Sequence, residues 1–149
     1  GGILMDNFYR AKDKNNNWVY GIYLPLLDGA CIIPDDAAIY KMNKTVNGCR
    51  IDGHLIETVE VDESTLGLCL GVEDHNGVPV FSGDCLEVNN EGNAGKFFVR
   101  EKPDGFKLYG AGAPINAVKY LQKIIKSGGS FTVTGNVYDN PELIRRKTA

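Results

Sequence analysis

The sequence predicts a mainly β (α+β) protein: a small antiparallel barrel or roll with an inserted region and one amphipathic helix in its C-terminal half. Three observations carry that expectation. Apolar residues alternate at period two through Leu66, Leu68 and Leu70, reversals rich in Gly, Asn and Pro recur at short intervals, and Pro114 to Lys126 repeats its apolar residues at helical spacing. No helical crossover separates the successive strands, so neighbours are expected to pair antiparallel.

A chain of 149 residues is long enough for one ordinary core, or for a small domain with a sizeable insertion. One continuous domain over residues 1–149 is the expectation. Hydrophobic residues at 43% and charged residues at 23% exclude global disorder, and no apolar run reaches bilayer-spanning length, so no membrane partner is expected. The formal charge of −3 gives no global attraction to a phosphate backbone, although a local basic patch is compatible with it. No basic leader precedes an apolar segment, and on that ground Cys31, Cys49, Cys69 and Cys85 are expected to be free, mainly buried thiols.

Taken in order, Phe8 to Ala11 and Trp18 to Leu24 form an opening hairpin across the turn-rich DKNNN segment, with Trp18, Tyr20 and Ile22 on one strand face. Pro25 to Pro34 is a connection carrying a short strand at Cys31 to Ile33. Ala37 to Tyr40, after Asp35-Asp36, suits a brief strand or a helical turn. The stretch from about 34 to 54, with its polar breaks and Asn47-Gly48, reads as a variable insertion. His54 to Val61 restores the alternation.

Leu66, Leu68 and Leu70 then present one apolar strand face, with Gly67, Cys69 and Gly71 on the slimmer one. Asn76-Gly77 suits a tight type I′ reversal, and Pro79 on the return favours a strand edge or a break. Asn89 to Gly95 forms a turn, Lys96 to Glu101 a strand, and Pro103-Asp104-Gly105 reverses the chain into Phe106 to Tyr109.

In the helix predicted over 114–126, Ile115, Val118, Leu121, Ile124 and Ile125 share a face opposite Lys119, Gln122, Lys123 and Lys126. Pro114 suits the first turn and Gly128-Gly129 the stop. A terminal strand over Phe131 to Tyr138 and a short helical tail over Glu142 to Lys147 complete the chain.

The chemistry-bearing residues do not assemble into a recognisable catalytic motif. His54 and His75 are distant in sequence, and the four cysteines lack the close pairs of a zinc or redox site. Gly110 to Ala113 has neither a dinucleotide fingerprint nor a phosphate-clamping Lys-Ser/Thr. No catalytic, cofactor or metal residue is therefore expected. The partner-contact candidates are Trp18, Asp84, Lys119, Lys123, Arg145 and Arg146. Trp18 serves as a core or rim anchor or as a stacking platform. Asp84 caps nearby amides, meets a partner or does chemistry; the lysines and arginines are either solvated or face nucleic acid or an acidic protein.

Three ordered segments, FYRAKDKNNNWVYG, VDESTLGLCLGVEDHNGVPVFSGDCLEV and FTVTGNVYDNPELI, resemble the YopX family of phage and prophage proteins. Where the family wording is close to TVGQYTGLKDKNGKxIYEGD, this chain keeps Thr65-Leu66-Gly67, Leu70-Gly71, Asp74 to Gly77 and Phe81 to Asp84. It departs at Leu68-Cys69 and Ser82. The resemblance implies a small SH3-type β-barrel with extra elements, encoded by a phage or prophage and acting in the bacterial host cytoplasm. It carries no reaction and no catalytic set to transfer.

The expected role is thus a non-catalytic protein-interaction or assembly module. Its partner would be a phage or bacterial protein, or another copy recruited through an uncovered strand edge. A nucleic-acid-associated regulatory module is the alternative, and a hydrolytic enzyme the third class.

Overall fold

Turn chemistry sets most strand boundaries in the computed structural model, which describes residues 7–112 and 114–144. The chain divides into two compact units, Asn7–Leu66 and a second beginning at Gly67.

In the N-terminal unit, β1 (Tyr9–Asp13) and β2 (Trp18–Leu26) are joined by a turn organised by one carboxylate. Asp13 Oδ1 accepts from the amides of Asn15 and Asn17, each at 2.9 Å, and Asn16 adopts φ 65°. β3 (Gly29–Pro34) pairs antiparallel with β2, and its residues Ala30 to Ile32 pair with Val59 to Val61 of β6 (Val59–Glu73), which follows β4 (Ile39–Val46) and β5 (Cys49–Ile56). β1 also pairs with β6, and the Lys12 amide donates to Thr65 Oγ1 at 2.8 Å, so these strands run round in a partial ring.

Ala11, Ala30, Ile32 and Val61 form the core of this unit, with Val19, Tyr23 and Leu66 packed against them. Trp18, Tyr20 and Ile22 do share a strand face, but it is the outer one: Trp18 is half-buried while Tyr20 and Ile22 are exposed. Both faces of β2 are apolar in sequence, so periodicity could not choose between them. The register of Ala11 against Val19 places the odd residues inside.

The inserted region is more regular than its polar composition suggests. β4 and β5 form an eight-rung hairpin from Ile39↔Ile56 to Val46↔Cys49. Asn47 and Gly48, at φ 50° and 78°, connect them as a type I′ turn requires. Asn76-Gly77 behaves differently. There Gly77 N–H donates to the Asp74 carbonyl at 3.0 Å, and of the two residues only Gly77 has positive φ. The reversal is therefore a turn centred on His75-Asn76 followed by a left-handed glycine, with an added Asp74 N–H to Val78 carbonyl bond at 2.8 Å.

In the C-terminal unit, β7 (Pro79–Phe81) returns along the end of β6, and β8 (Asp84–Asn90), β9 (Asn93–Lys102), β10 (Gly105–Tyr109) and β11 (Ile115–Asn116) follow. After helix α1 (Ala117–Lys126), β12 (Ser130–Asn136) completes an antiparallel sheet in the order β11-β10-β9-β8-β12. The predicted turn from Asn89 to Gly95 shrinks to Glu91-Gly92, both at positive φ. Pro141–Leu143 forms a 3-10 turn that ends at Ile144; residues 145–147 of the expected helical tail lie outside the described residues.

The helix starts three residues later than periodicity predicts. Asn116 caps it by accepting from the Lys119 amide at 3.1 Å, while Ile115 and Asn116 pair with β10, so Pro114 precedes a strand rather than opening the helix. Its stop is as expected: Gly128 has φ 81°, and the amides of Gly128 and Gly129 donate to Ile125 and Ile124 carbonyls at 3.2 and 2.9 Å, a Schellman arrangement. Ala117, Leu121 and Ile124 enter a core with Leu70, Val80, Leu86, Val88, Val99, Leu108 and Phe131; Ile125 faces water. Burying side chains such as Leu121 and Ile124 contributes about 1.5–3 kcal/mol each.

The Leu66, Leu68, Leu70 alternation is divided between the units. Leu66 packs in the N-terminal core, Leu70 in the C-terminal core, and Leu68 is half-buried. One long strand thus supplies both.

Candidate functional site

A groove lies on the outer face of the C-terminal sheet. Antiparallel register aligns Tyr109 with Phe98 and Phe98 with Cys85, while Val99 and Leu108 on the alternate rungs point into the core. The outward residues form the floor of this groove of about 560 Å³, walled by Gly110 to Gly112, Pro114, Leu143 and Ile144, with Lys96 among its lining residues.

Phe98 and Tyr109 stack with centroids 5.3 Å apart and planes inclined by 23°. Arg100 and Lys102 each lie 5.7 Å from a ring centroid, over Phe98 and Tyr109 respectively. Glycine at 110 is needed for the wall: a Cβ there would stand 2.8 Å from both the Lys96 carbonyl oxygen and a Phe97 ring carbon. The arrangement offers a flat aromatic floor with nearby positive charge, suited to a planar or extended ligand.

The groove is poorly suited to thiol chemistry. Burial, followed by the negative charges of Asp84 and Glu142, raises the Cys85 thiol above its ordinary pKa, so it is protonated at neutral pH. Among the described residues no group of three His, Cys, Asp or Glu side chains is placed to hold a metal. All four cysteines are free; Cys31, Cys69 and Cys85 are buried and Cys49 is exposed.

Asp84 is only 1% exposed, and its Oδ2 accepts from the Phe81 amide at 2.8 Å. It belongs to a knot in which Ser82 and Leu68 exchange two 3.0 Å hydrogen bonds, Gly83 N–H donates to Val99 at 2.8 Å, and Val137 N–H donates to Gly83 at 2.9 Å. The Ser-Gly-Asp step therefore fastens strands together, and its carboxylate offers no surface for contact.

Trp18 lies in the N-terminal unit. The Arg10 guanidinium carbon is 4.5 Å and the Lys12 ammonium 5.2 Å from its ring centroid, a consequence of the Lys12↔Trp18 and Arg10↔Tyr20 register. Lys119 and Lys123 are exposed on α1 in the other unit. Arg145 and Arg146 lie outside the described residues. The described candidates thus belong to different units, Trp18 to the N-terminal one and Asp84, Lys119 and Lys123 to the C-terminal one. The Phe98–Tyr109 pair was missed, although the reversal at Pro103-Asp104 contained its signal: closing Lys102 against Gly105 automatically aligns residues 98 and 109.

These features define a mainly β, antiparallel protein with one α-helix among its described residues and a surface groove of aromatic and apolar character. The chain belongs to the YopX family: the family model described as YopX protein matches residues 8–145. It is similar to the crystal structure of protein EF1440 from Enterococcus faecalis, with 22% sequence identity and a TM-score of 0.59, over 93% of this chain and 97% of that one. At that identity the likeness concerns the fold. No curated protein matches the chain. Among the described residues no helix is long and apolar enough to cross a membrane.

Proposed function

We propose that this protein is a non-catalytic phage or prophage accessory protein that acts in the bacterial host cytoplasm as a protein-interaction or assembly module. One observation carries the reading: the N-terminal unit holds large apolar side chains in water on regular strands, including Ile22 and Leu26 on β2 and Tyr40 and Leu55 on the inserted hairpin. Isolated exposed hydrophobics are ordinary, but their repetition along strand faces is characteristic of contact surfaces. YopX family membership supports the phage setting.

Affinity capture from infected host cells tests the proposal, with wild-type chain compared against an Ile22→Asp, Leu26→Asp variant. The expected result is a defined protein retained by wild type and lost by the folded variant. Equal recovery with both chains would refute β2 as the contact face, and absence of any specific protein would refute the module.

A second reading, nucleic-acid association, is favoured by the cation-flanked Phe98–Tyr109 stack, since such rings accept bases irrespective of sequence. Its expected signature is a complex released by nuclease and weakened by Phe98→Ala. A nuclease-resistant complex excludes it.

A further inference from the structure

The outer face of β9 interleaves charge with an aromatic ring. Successive residues of a strand point to opposite sides, and with Val99 in the core the even positions Lys96, Phe98, Arg100 and Lys102 share the outer face. Antiparallel register with β10 sets Tyr109 beside Phe98 and Lys107 beside Arg100 on that same side. Leu108 and Val99 point the other way, into the core that Leu121 and Ile124 of α1 complete. The helix therefore covers the inner face and leaves this one open.

Lys107 is held by Asp104 at 3.3 Å, whereas among the described residues Lys96, Arg100 and Lys102 form no ion pair. Arg100 and Lys102 instead lie over Phe98 and Tyr109, each 5.7 Å from the ring centroid, so both charges stand beside the aromatic floor. The acids of the groove lie toward β8: Glu87 opposes Lys96 in register, and the charge of Glu142 acts on Cys85. Arg100 and Lys102 are on the far side of Phe98 from Glu87 along β9 and keep their charge for a ligand. At about 3.4 Å per residue, these two same-face positions are about 7 Å apart.

We propose that this face binds single-stranded nucleic acid, with a base entering the groove against the Phe98–Tyr109 pair and successive phosphates lying over Arg100 and Lys102. This inference deepens the nucleic-acid reading of the groove and rests on it. A volume of about 560 Å³ lies within the range of small-ligand sites, so it admits a base and its sugar. In a duplex the base faces are stacked on their neighbours and cannot reach rings set in a concave floor; in a single strand they are free to stack on aromatic side chains. The two unpaired cations complement a phosphate backbone running along β9. An acidic peptide would satisfy the same cations but leave the paired rings without a planar partner.

Fluorescence anisotropy of the purified full chain with a fluorescein-labelled oligothymidylate tests the proposal, the same strand annealed to its complement serving as the duplex probe. The expected result is single-strand binding roughly tenfold tighter than duplex binding, with log K falling against log salt at a slope of about −1.4, the value for two phosphates on a single strand. Lys102→Gln should halve that slope. Phe98→Leu should weaken binding about fivefold or more and leave the slope unchanged, since stacking releases no counterions. Lys119→Gln, on the helix that covers the inner face, should change neither. Thermal melts followed by circular dichroism establish that each variant folds, and Tyr109→Leu takes the place of Phe98→Leu if that variant does not. A slope indifferent to Lys102→Gln, or affinity indifferent to loss of the ring, overturns the proposal. Displacement of the strand by polyglutamate as readily as by unlabelled oligothymidylate also overturns it, in favour of an acidic peptide. Duplex bound as tightly as single strand removes this inference and leaves nucleic-acid association standing, whereas binding of neither probe removes both.

Discussion

Replacing Asp74 by alanine should destabilise the C-terminal unit more than substitution of any exposed acid. The carboxylate is buried, and it accepts three backbone hydrogen bonds: Oδ1 from Asn76 and Val78 at 2.8 and 2.9 Å, and Oδ2 from Val133 at 2.9 Å. The first two shape the β6–β7 reversal. The third fastens it to β12, 59 positions later. Hydrogen bonds to a charged group contribute about 1.5–3 kcal/mol each, and three on one side chain are not additive, so Asp74→Ala should cost about 3–5 kcal/mol. Asp74→Asn retains an acceptor for the turn but presents a donor group to the Val133 amide, and should cost about 1–2 kcal/mol. Urea unfolding monitored by circular dichroism measures both, as a fall in midpoint at constant slope. A loss below about 1 kcal/mol for Asp74→Ala would refute the view that this carboxylate organises the reversal.

Further substitutions probe other parts of the fold. Gly21→Ala drives a methyl group into the Ile33 carbonyl oxygen, so β2 and β3 must separate; the expected cost exceeds about 3 kcal/mol, read by thermal melting, and a near-neutral result would contradict the close approach. Asn116→Ala removes the acceptor for the Lys119 amide and should cost about 1 kcal/mol in urea unfolding, whereas Asn116→Asp should retain most of the stability. Tyr23 donates to Glu63 at 2.7 Å, and that bond leads the causes raising its pKa. Its contribution to stability is therefore complete below the ordinary tyrosine pKa and disappears as pH rises through the raised value. Ultraviolet titration should show a late-ionising tyrosine that shifts to lower pH in Glu63→Gln, and an unchanged titration would count against the bond. Cys85 should react with iodoacetamide far more slowly than exposed Cys49 in the native chain, and equal rates would show that the groove floor is open.

Local chemistry makes much of the architecture legible in the sequence. The DKNNN turn, the Gly128-Gly129 stop and the alternation through Leu70 each depend on near neighbours, and the antiparallel body with one helix followed from them. The three motif segments likewise pointed to the family whose model matches residues 8–145. Side-chain roles at the Ser-Gly-Asp step were only partly legible, because Asp84 can act as a cap or as an exposed acid with the same neighbours in sequence.

Most elements could be identified from the chain of residues alone, since φ preferences, capping and periodicity operate within a few residues. Tertiary structure decided which face of β2 became interior, how Leu66 and Leu70 were divided between two cores, and where Asp74 met β12. It also selected the two-residue reversal at Asn47-Gly48 while giving Asn76-Gly77 a bulged one. The physical reason is register: two apolar faces, or two Asn-Gly pairs, are locally equivalent until a partner strand fixes which rung opposes which.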